Sequence, residues 1–251
     1  MSRTATGTPR EGTDVFGRAL LDWARGGTAP EVIERDDGLT DLGAGHEFYM
    51  AQFKDWPISE QQAISHARGR VIDVGCGAGR VALYLQQRGF DVVGLDASPL
   101  AVRSARVRGV RQTWCMSIDD LSDRIASFDT IVLFGNNFGM FGTPERLRIM
   151  LRAWASRTSP GTRILAQSTN PYCGGAPAFD RGYYQRNKQM GLMPGQVRLR
   201  SRYRGHVGAW SDWLFVSRHE MRTIVRGTGW RQAKILGGRP CDPYVAVLEK
   251  D

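Results

Sequence analysis

The sequence predicts an α/β fold: a doubly wound, Rossmann-like sheet of seven strands, mostly parallel, with an antiparallel final hairpin and an antiparallel insertion after the fifth strand. Three observations predict it. From residue 68 onward, apolar and β-branched runs alternate with segments of helical periodicity, the pattern of a parallel sheet covered on both faces. The first of these runs ends in VGCGAGR, with glycine at every second position, a loop whose backbone can pass close to a ligand. The last two runs, residues 232–236 and 244–248, follow one another without a helix between them, so they pair antiparallel.

Each element has its own signal. Residues 71–74 (VIDV) read as a short buried strand, and Val81, Leu83, Tyr84 and Leu85 as a helix stopped at Gly89. Residues 91–95 make a second strand ending in Asp96, after which Ser98 caps and Pro99 opens a helix. Residues 110–116 form a weaker third strand and 128–134 (FDTIVLF) the fourth. Thr143 and Pro144 cap and start a helix that carries Leu147, Met150, Leu151 and Trp154 at helical spacing. Residues 163–167 make the fifth strand. Ser217 and Glu220 form a capping-box pair ahead of Met221, Ile224 and Val225.

Composition narrows the function classes. At 251 residues the chain suits one large α/β domain with insertions. Cys76, Cys115, Cys173 and Cys241 are scattered without CxxC spacing, which indicates neither a zinc site nor a disulfide framework and suits a reducing cytoplasm. No apolar run reaches the length of a membrane span, and MSRTATGTPREGT lacks the apolar core of a signal peptide. The net charge of +9 points to an acidic partner, although nearly all the basic residues are arginine, a bias that genome composition alone produces.

The glycine loop does not fit a dinucleotide fingerprint, because the sixth position counted from Gly75 is Arg80 rather than glycine. The third glycine is Gly79, and Asp73 precedes the first by two. This D-x-G-x-G-x-G arrangement resembles the first motif of class I S-adenosylmethionine-dependent methyltransferases. The resemblance covers residues 68–170 and 217–250. It implies S-adenosylmethionine as cofactor, S-adenosylhomocysteine as product, and a role for Asp73 in holding the ammonium of the methionine part. Asp96, 21 residues after Gly75, ends the second strand where a carboxylate accepts both ribose hydroxyls, a feature that NAD enzymes share. The segment CMSIDDL resembles the family's adenine-binding stretch, with Ser117 at the usual acidic position. The cofactor set is therefore Asp73, Gly75, Cys76, Gly77, Gly79, Asp96, Ala97, Ser117, Ile118, Asp119 and Gly135, with no metal.

Chemistry is expected after the fourth strand, in GNNFGMFG. Asn136 and Asn137 offer donors and acceptors beside the expected methyl group; the alternative is an asparagine-capped turn with buried phenylalanines. The NPY at residues 170–172 reads as a turn into the insertion. Methyl transfer from a sulfonium is an in-line displacement driven mainly by positioning, and a base is needed only if the acceptor must first lose a proton. His46, His206, His219, Tyr49, Tyr183 and Tyr184 are the available bases; His219 falls in the first turn of the last helix, and His206, in the insertion, is the catalytic candidate. Nothing in the sequence fixes a base.

Two segments flank the core. HEFYMAQFKDWP offers Tyr49 and Trp56 as lid residues, since each joins an apolar body to a polar tip, whereas Phe48 and Phe53 suit a helix packed on the sheet equally well. In VRLRSRYRG, Arg198, Arg200, Arg202 and Arg204 share one face of a strand. Residues 172–215 hold seven basic and two acidic residues, a net +5 of the chain's +9. That face is either solvated or a match for an anionic acceptor, with Tyr183, Tyr184, Trp210, Trp213 and Phe215 in the same insertion. The expected organisation is a disordered tail (1–13), a helical or lid segment (14–67), the cofactor-binding core (68–171), an acceptor-side flap (172–216), and a closing helix and hairpin (217–251). Methyl transfer to a small, acidic or aromatic acceptor is the first functional reading. An RNA or protein methyltransferase using the arginine face is the second, and a cofactor-binding cyclase or regulator the third.

Overall fold

The computed structural model describes residues 12–173 and 180–251, so the expected tail over 1–13 lies almost wholly outside the described residues, as does 174–179 of the insertion. In chain order the elements are α1 (Val15–Ala24), β1 (Val32–Arg35), β2 (Thr40–Leu42), α2 (Gly45–Tyr49), α3 (Ile58–Ile64), β3 (Val71–Val74), α4 (Arg80–Gln87), β4 (Val92–Asp96), α5 (Pro99–Val107), β5 (Thr113–Cys115), β6 (Thr130–Leu133), α6 (Pro144–Arg157) and β7 (Arg163–Ser168). They continue with α7 (Arg181–Gln189), β8 (Gln196–Tyr203), β9 (His206–Val207), β10 (Ser211–Leu214), α8 (Arg218–Val225), β11 (Trp230–Leu236) and β12 (Tyr244–Lys250). No described helix is long and apolar enough to cross a membrane.

The main sheet has seven strands in the order β11-β12-β7-β6-β3-β4-β5. β3 to β7 run parallel, and β12 is antiparallel to both β7 and β11. The chain passes from β3 outward through β4 and β5, then returns by β6 to the other side of β3. The strand order therefore reverses between β3 and β6, which is where an open α/β sheet leaves a crevice. Both strands are buried at all four positions, as central strands covered on both faces must be. One face packs Leu147, Leu151 and Trp154 of α6 over Ile72, Ile131 and Ile164; the other packs Val81, Ala82 and Leu85 of α4 over Val71, Val92 and Val132.

The predicted caps form. Ser98 accepts from the Ala101 N–H, Thr143 from the Arg146 N–H, and Ser217 and Glu220 make the reciprocal capping box. Strand ends shift: β5 contracts to Thr113–Cys115, since Val110 turns into the core. β11 starts two residues before the expected 232, because buried Trp230 anchors it by donating Nε1–H to the Leu151 carbonyl at 2.8 Å.

Two differences are larger. Residues 14–67 are not only helical: β1 and β2 join β8 and β10 in a second, antiparallel sheet of order β10-β8-β1-β2, with β9 on β8. The insertion is thus built together with the chain's beginning, by a pairing across some 160 residues that local patterning does not encode. Cys173 and Cys241, expected reduced, form a disulfide with Cα atoms 5.3 Å apart across 68 residues of sequence. The sheet register explains it: Tyr244 lies opposite Ser168, so the loop before β12 meets the segment after β7. Cys76 is buried and Cys115 exposed, both free.

Candidate active site

β3 delivers the chain to the crevice, and the glycine loop turns there. Gly75 and Gly79 have φ of +71° and +74°, a region costly for residues with a Cβ. Space is also lacking: a Cβ at Gly75 would meet Asn137 Nδ2 at 2.5 Å and one at Gly79 would meet Val110 Cγ2 at 2.6 Å. The N–H groups of Gly75 and Cys76 both donate to the Leu95 carbonyl, at 2.8 and 2.9 Å, which ties the loop to the end of β4. The Cys76 side chain is buried over Gly94 of β4, 3.1 Å from where a Cβ there would lie, so only its backbone faces the crevice.

Asp96 stands at the end of β4. Its Oδ2 accepts from the Gly77 N–H and its Oδ1 from the Ser98 N–H, each at 2.9 Å. Each oxygen retains a lone pair for a hydroxyl. Burial pushes the carboxyl up to about 6, against the lowering effect of those two N–H groups. Ala97 follows at the partly exposed strand end. Asp73 is 3% exposed, and its Oδ2 accepts from the Ala82 N–H at 3.1 Å, inside the first turn of α4. Burial pushes it up to about 7, with repulsion from Asp96 and Glu60 adding to the shift and Arg80 opposing it. Asp73 therefore sets the helix behind the loop as well as supplying negative charge.

At the expected adenine side, Ser117 caps a short 3-10 turn by accepting from the Asp119 N–H at 3.3 Å, with Ile118 beside it partly buried. The Asp119 carboxylate is turned away, to Arg146 Nη2 at 3.0 and 3.2 Å. Its side chain is thereby removed from the expected set.

Across the crevice, Gly135 follows β6 with φ of +68° and open space where a Cβ would sit. Its N–H donates to Gln167 Oε1, as does the Asn136 N–H at 3.2 Å. Asn136 Oδ1 accepts from the Thr169 hydroxyl at 2.8 Å. The Asn137 side chain is engaged through its Nδ2, which donates to the carbonyls of Val74 and Gly75, at 2.8 and 3.0 Å. It clamps the end of β3 to the turn after β6, a structural role beside the one expected from the sequence.

Four contributors escaped sequence reasoning. Arg80, 8% exposed, lies with Nη2 2.7 Å from Oε2 of fully buried Glu60, its guanidinium 4.6 Å from each of the Phe48 and Trp56 ring centroids. Burial raises the Glu60 carboxyl; Arg80, Gln167 and the Gly135 backbone oppose the rise. Asp14 caps α1 at Gly17 and also accepts from the Ser98 hydroxyl at 2.6 Å and the Leu100 N–H at 3.1 Å. That places α1 over the loop, where Leu20 comes 3.5 Å from a Cβ at Gly77. Only Asp14 had a local signal, as a helix N-cap; the others depend on tertiary packing.

The expected acceptor residues divide. Tyr49 is partly exposed and packs on Phe16, Trp23 and Phe48. Trp56 is 4% exposed and donates Nε1–H to the Ala51 carbonyl at 3.2 Å, so it belongs to the core beside α4 and not to a lid. Tyr183 donates to Asp36 Oδ1 at 2.7 Å and Tyr184 to the Pro171 carbonyl; both are buried anchors of α7. His206 is exposed at the hairpin tip, on β9, paired with Tyr203. The arginine face is paired: Arg198 with Asp212 at 3.7 Å, Arg200 with Glu34 at 2.8 Å, Arg202 with Glu34, and Arg204 with Asp22 at 3.1 Å. The Arg200 guanidinium also covers Trp210 at 4.3 Å.

Comparison with known proteins bears on this site. The family model described as "Methyltransferase domain" matches residues 71–161. The chain is 35% identical over 100 residues to trans-aconitate 2-methyltransferase of Mycobacterium tuberculosis, covering 39% of this chain and 36% of that enzyme. It is 53% identical over 38 residues to 2-heptyl-1-hydroxyquinolin-4(1H)-one methyltransferase of Mycobacteroides abscessus, 15% of this chain and 17% of that one. The matches thus span about a third or less of those relatives. An S-adenosylmethionine-dependent methyltransferase from Bacteroides fragilis, solved with S-adenosyl-L-homocysteine, shares the fold over 97% of this chain and 98% of its own, with a TM-score of 0.80 at 24% identity.

Proposed function

Because its α/β core belongs to the class I S-adenosylmethionine-dependent methyltransferase family, we propose that the protein methylates a small-molecule acceptor carrying an acidic or hydroxyaromatic group. The observation that carries this reading is the crevice between β3 and β6, where buried Asp73 and partly buried Asp96 lie beside a glycine loop with, among the described residues, no cation paired to either carboxylate. The residues present fit the cofactor. S-adenosylmethionine supplies an activated methyl group on a sulfonium, and it also carries a ribose and an ammonium. In this reading Asp96 accepts from the ribose hydroxyls, and the loop from Gly75 to Gly79 gives close backbone approach. Asp73 and the Gly135 turn border the ammonium, while Ser117 and Ile118 border the adenine.

The chain's own residues then act by orientation. Asn137 and Gln167 fix the turn after β6 so that Gly135 and Asn136 face the reacting centre, and α1 and α2 exclude water from above. Holding nucleophile and methyl carbon in line is worth roughly 7 kcal/mol or more in well-oriented intramolecular reactions, so the reaction does not require a histidine. The small-molecule acceptor follows the relatives, whose names specify an unsaturated tricarboxylate and a hydroxyquinolone. Full pairing of the β8 arginines removes the observation that had favoured RNA. A screen of carboxylic and hydroxyaromatic metabolites with methyl-labelled cofactor tests the proposal. Label transferred to a member of the set is expected. Cofactor bound with no label transferred to any of them would replace transfer by a regulatory role, and tight NAD binding with no response to S-adenosylmethionine would overturn the whole reading.

A further inference from the structure

Between residues 50–56 and the outer side of α4 lies a solvent-open cleft of about 650 Å³ lined by Lys54, Arg80, Arg88 and Arg108, with no aspartate or glutamate in its wall. Arg80 has its charge met by Glu60 at 2.7 Å. The other three have no carboxylate within 4.0 Å among the described residues. An unpaired arginine on a convex surface is simply solvated. Here the cations converge on a concavity, and Arg108 is half-buried.

The orientation of each group is built by its neighbours. Arg108 donates Nη1–H to the carbonyls of Ala78 and Tyr49, at 3.0 and 3.1 Å, and Nη2–H to the Met50 carbonyl at 3.3 Å. Of its five N–H groups, the Nε–H and one Nη2–H remain. Burial and the nearby Arg80 lower its pKa, the sign of a cation lacking a counterion. The Arg88 guanidinium lies 4.3 Å over the Tyr84 ring, and Tyr84 is itself stacked on Phe53 at 4.5 Å. This arrangement fixes the plane of the guanidinium and leaves its edge to donate. Lys54 is exposed at the rim.

We propose that this cleft is a second binding site, for a small oxyanion of metabolite size bearing carboxylate or phosphate groups, held by Arg108, Arg88 and Lys54. The volume lies within the range of small-molecule sites, roughly 300–1,000 Å³, and suits one compact polyanion. The cleft borders the glycine loop through Arg80 and through the Arg108–Ala78 contact, but the proposal requires no methyl transfer.

Calorimetric titration of the full chain with citrate and with pyrophosphate tests it, the two probes separating a preference for carboxylate from one for phosphate. Saturable one-to-one binding of either probe is expected. It is expected to weaken by about tenfold or more in Arg88→Gln and in Arg108→Gln, since a charge-assisted hydrogen bond is worth about 1.5–3 kcal/mol, and by less in Lys54→Gln. Circular dichroism and the melting temperature, measured on the same samples, report that the variants fold; Arg88 and Lys54 are exposed, so their substitutions leave the core intact. Joint replacement of Arg198, Arg200, Arg202 and Arg204 by glutamine is expected to leave probe binding unchanged. The proposal is overturned if neither probe saturates, if binding survives in Arg88→Gln and Lys54→Gln, or if the β8 replacement abolishes it. It is also overturned if a 20-nucleotide RNA binds more tightly than either probe through the same residues.

Discussion

The crevice beside the glycine loop and the outer face of β8 are opposite solutions to placing charge. In the crevice, Asp73 is buried and Asp96 partly buried, each with backbone hydrogen-bond donors but, among the described residues, no paired cation, and both carboxyls are raised, to about 7 and about 6. On β8, four arginines that look from the sequence like an anion site each meet a carboxylate, and Glu34, serving two of them, is lowered to about 2 chiefly by its hydrogen bonds to Arg200 and Arg202. The difference teaches that charge density does not locate a site; charge left without a partner does. A buried carboxylate with no counterion costs stability that a cationic ligand repays. A completed pair on a surface only holds strands together.

The largest expected effect tests the buried side of this contrast. Arg80→Met leaves Glu60, fully buried, without its partner, and breaking a buried pair in this way costs about 3–5 kcal/mol. Denaturant unfolding at pH 8 measures it. Without Arg80 the Glu60 carboxyl rises further, so its ionisation in the folded state is penalised more as pH increases. The deficit is therefore expected to shrink at pH 5 and to be greatest at pH 8; a deficit independent of pH would mean that the loss is one of packing alone.

Asp96→Ala comes next. In the proposed complex it leaves two ribose hydroxyls unpaired in a partly buried site, and charge-assisted hydrogen bonds are worth about 1.5–3 kcal/mol each, so a loss of about 100-fold in S-adenosylmethionine affinity is expected by calorimetry. Unchanged affinity would place the nucleoside elsewhere. A milder form of the same test needs no mutation. Asp73 and Asp96 are raised to about 7 and about 6, and a cationic ligand requires them ionised. Binding should release protons, and affinity should fall at least about tenfold from pH 8 to pH 5, the window set by those two values. An affinity flat across that range would mean that neither carboxylate senses the bound cation.

Legibility in the sequence follows the same division. The core was readable because its signals are local: VIDVGCGAGR places a strand end, a loop and a helix start within ten residues, and Ser98, Thr143 and Ser217 cap helices with neighbours at most three residues away. The second sheet was not, because Glu34 reaches Arg200 across 166 residues and nothing in either segment specifies the other. The site was legible to the same extent. Gly75, Gly77, Gly79 and Asp96 come together at the ends of β3 and β4 through local signals, whereas Glu60 and Gln167 enter through tertiary contacts. The sequence places Asn137 at the crevice, but the clamp its Nδ2 makes on the carbonyls of Val74 and Gly75 depends on a contact across more than 60 residues.

The smallest effect is expected on β8, where the sequence leaves open a solvated face and a match for an anionic acceptor. Replacing Arg198, Arg200, Arg202 and Arg204 jointly by glutamine removes the cationic partner of four ion pairs on an outer sheet face, with arginine side chains 23–58% exposed. Exposed pairs contribute little, about 0–1 kcal/mol, and the alternate positions Val197 and Tyr203 that hold β8 against the molecule stay in place. S-adenosylmethionine affinity is expected unchanged, since none of the four touches the glycine loop, Asp96 or Gly135. KM for an acidic acceptor should be unchanged too, because each guanidinium already faces a carboxylate and offers an incoming anion repulsion as well as attraction. Glu34→Gln provides the converse: it frees Arg200 and Arg202 without adding a cation, and only in that variant should the face acquire salt-sensitive affinity for anions. If instead the fourfold variant raises KM in the parent background while cofactor affinity holds, the pairs on β8 exchange their carboxylates for the acceptor, and completed pairing would no longer distinguish structural charge from functional charge in this protein.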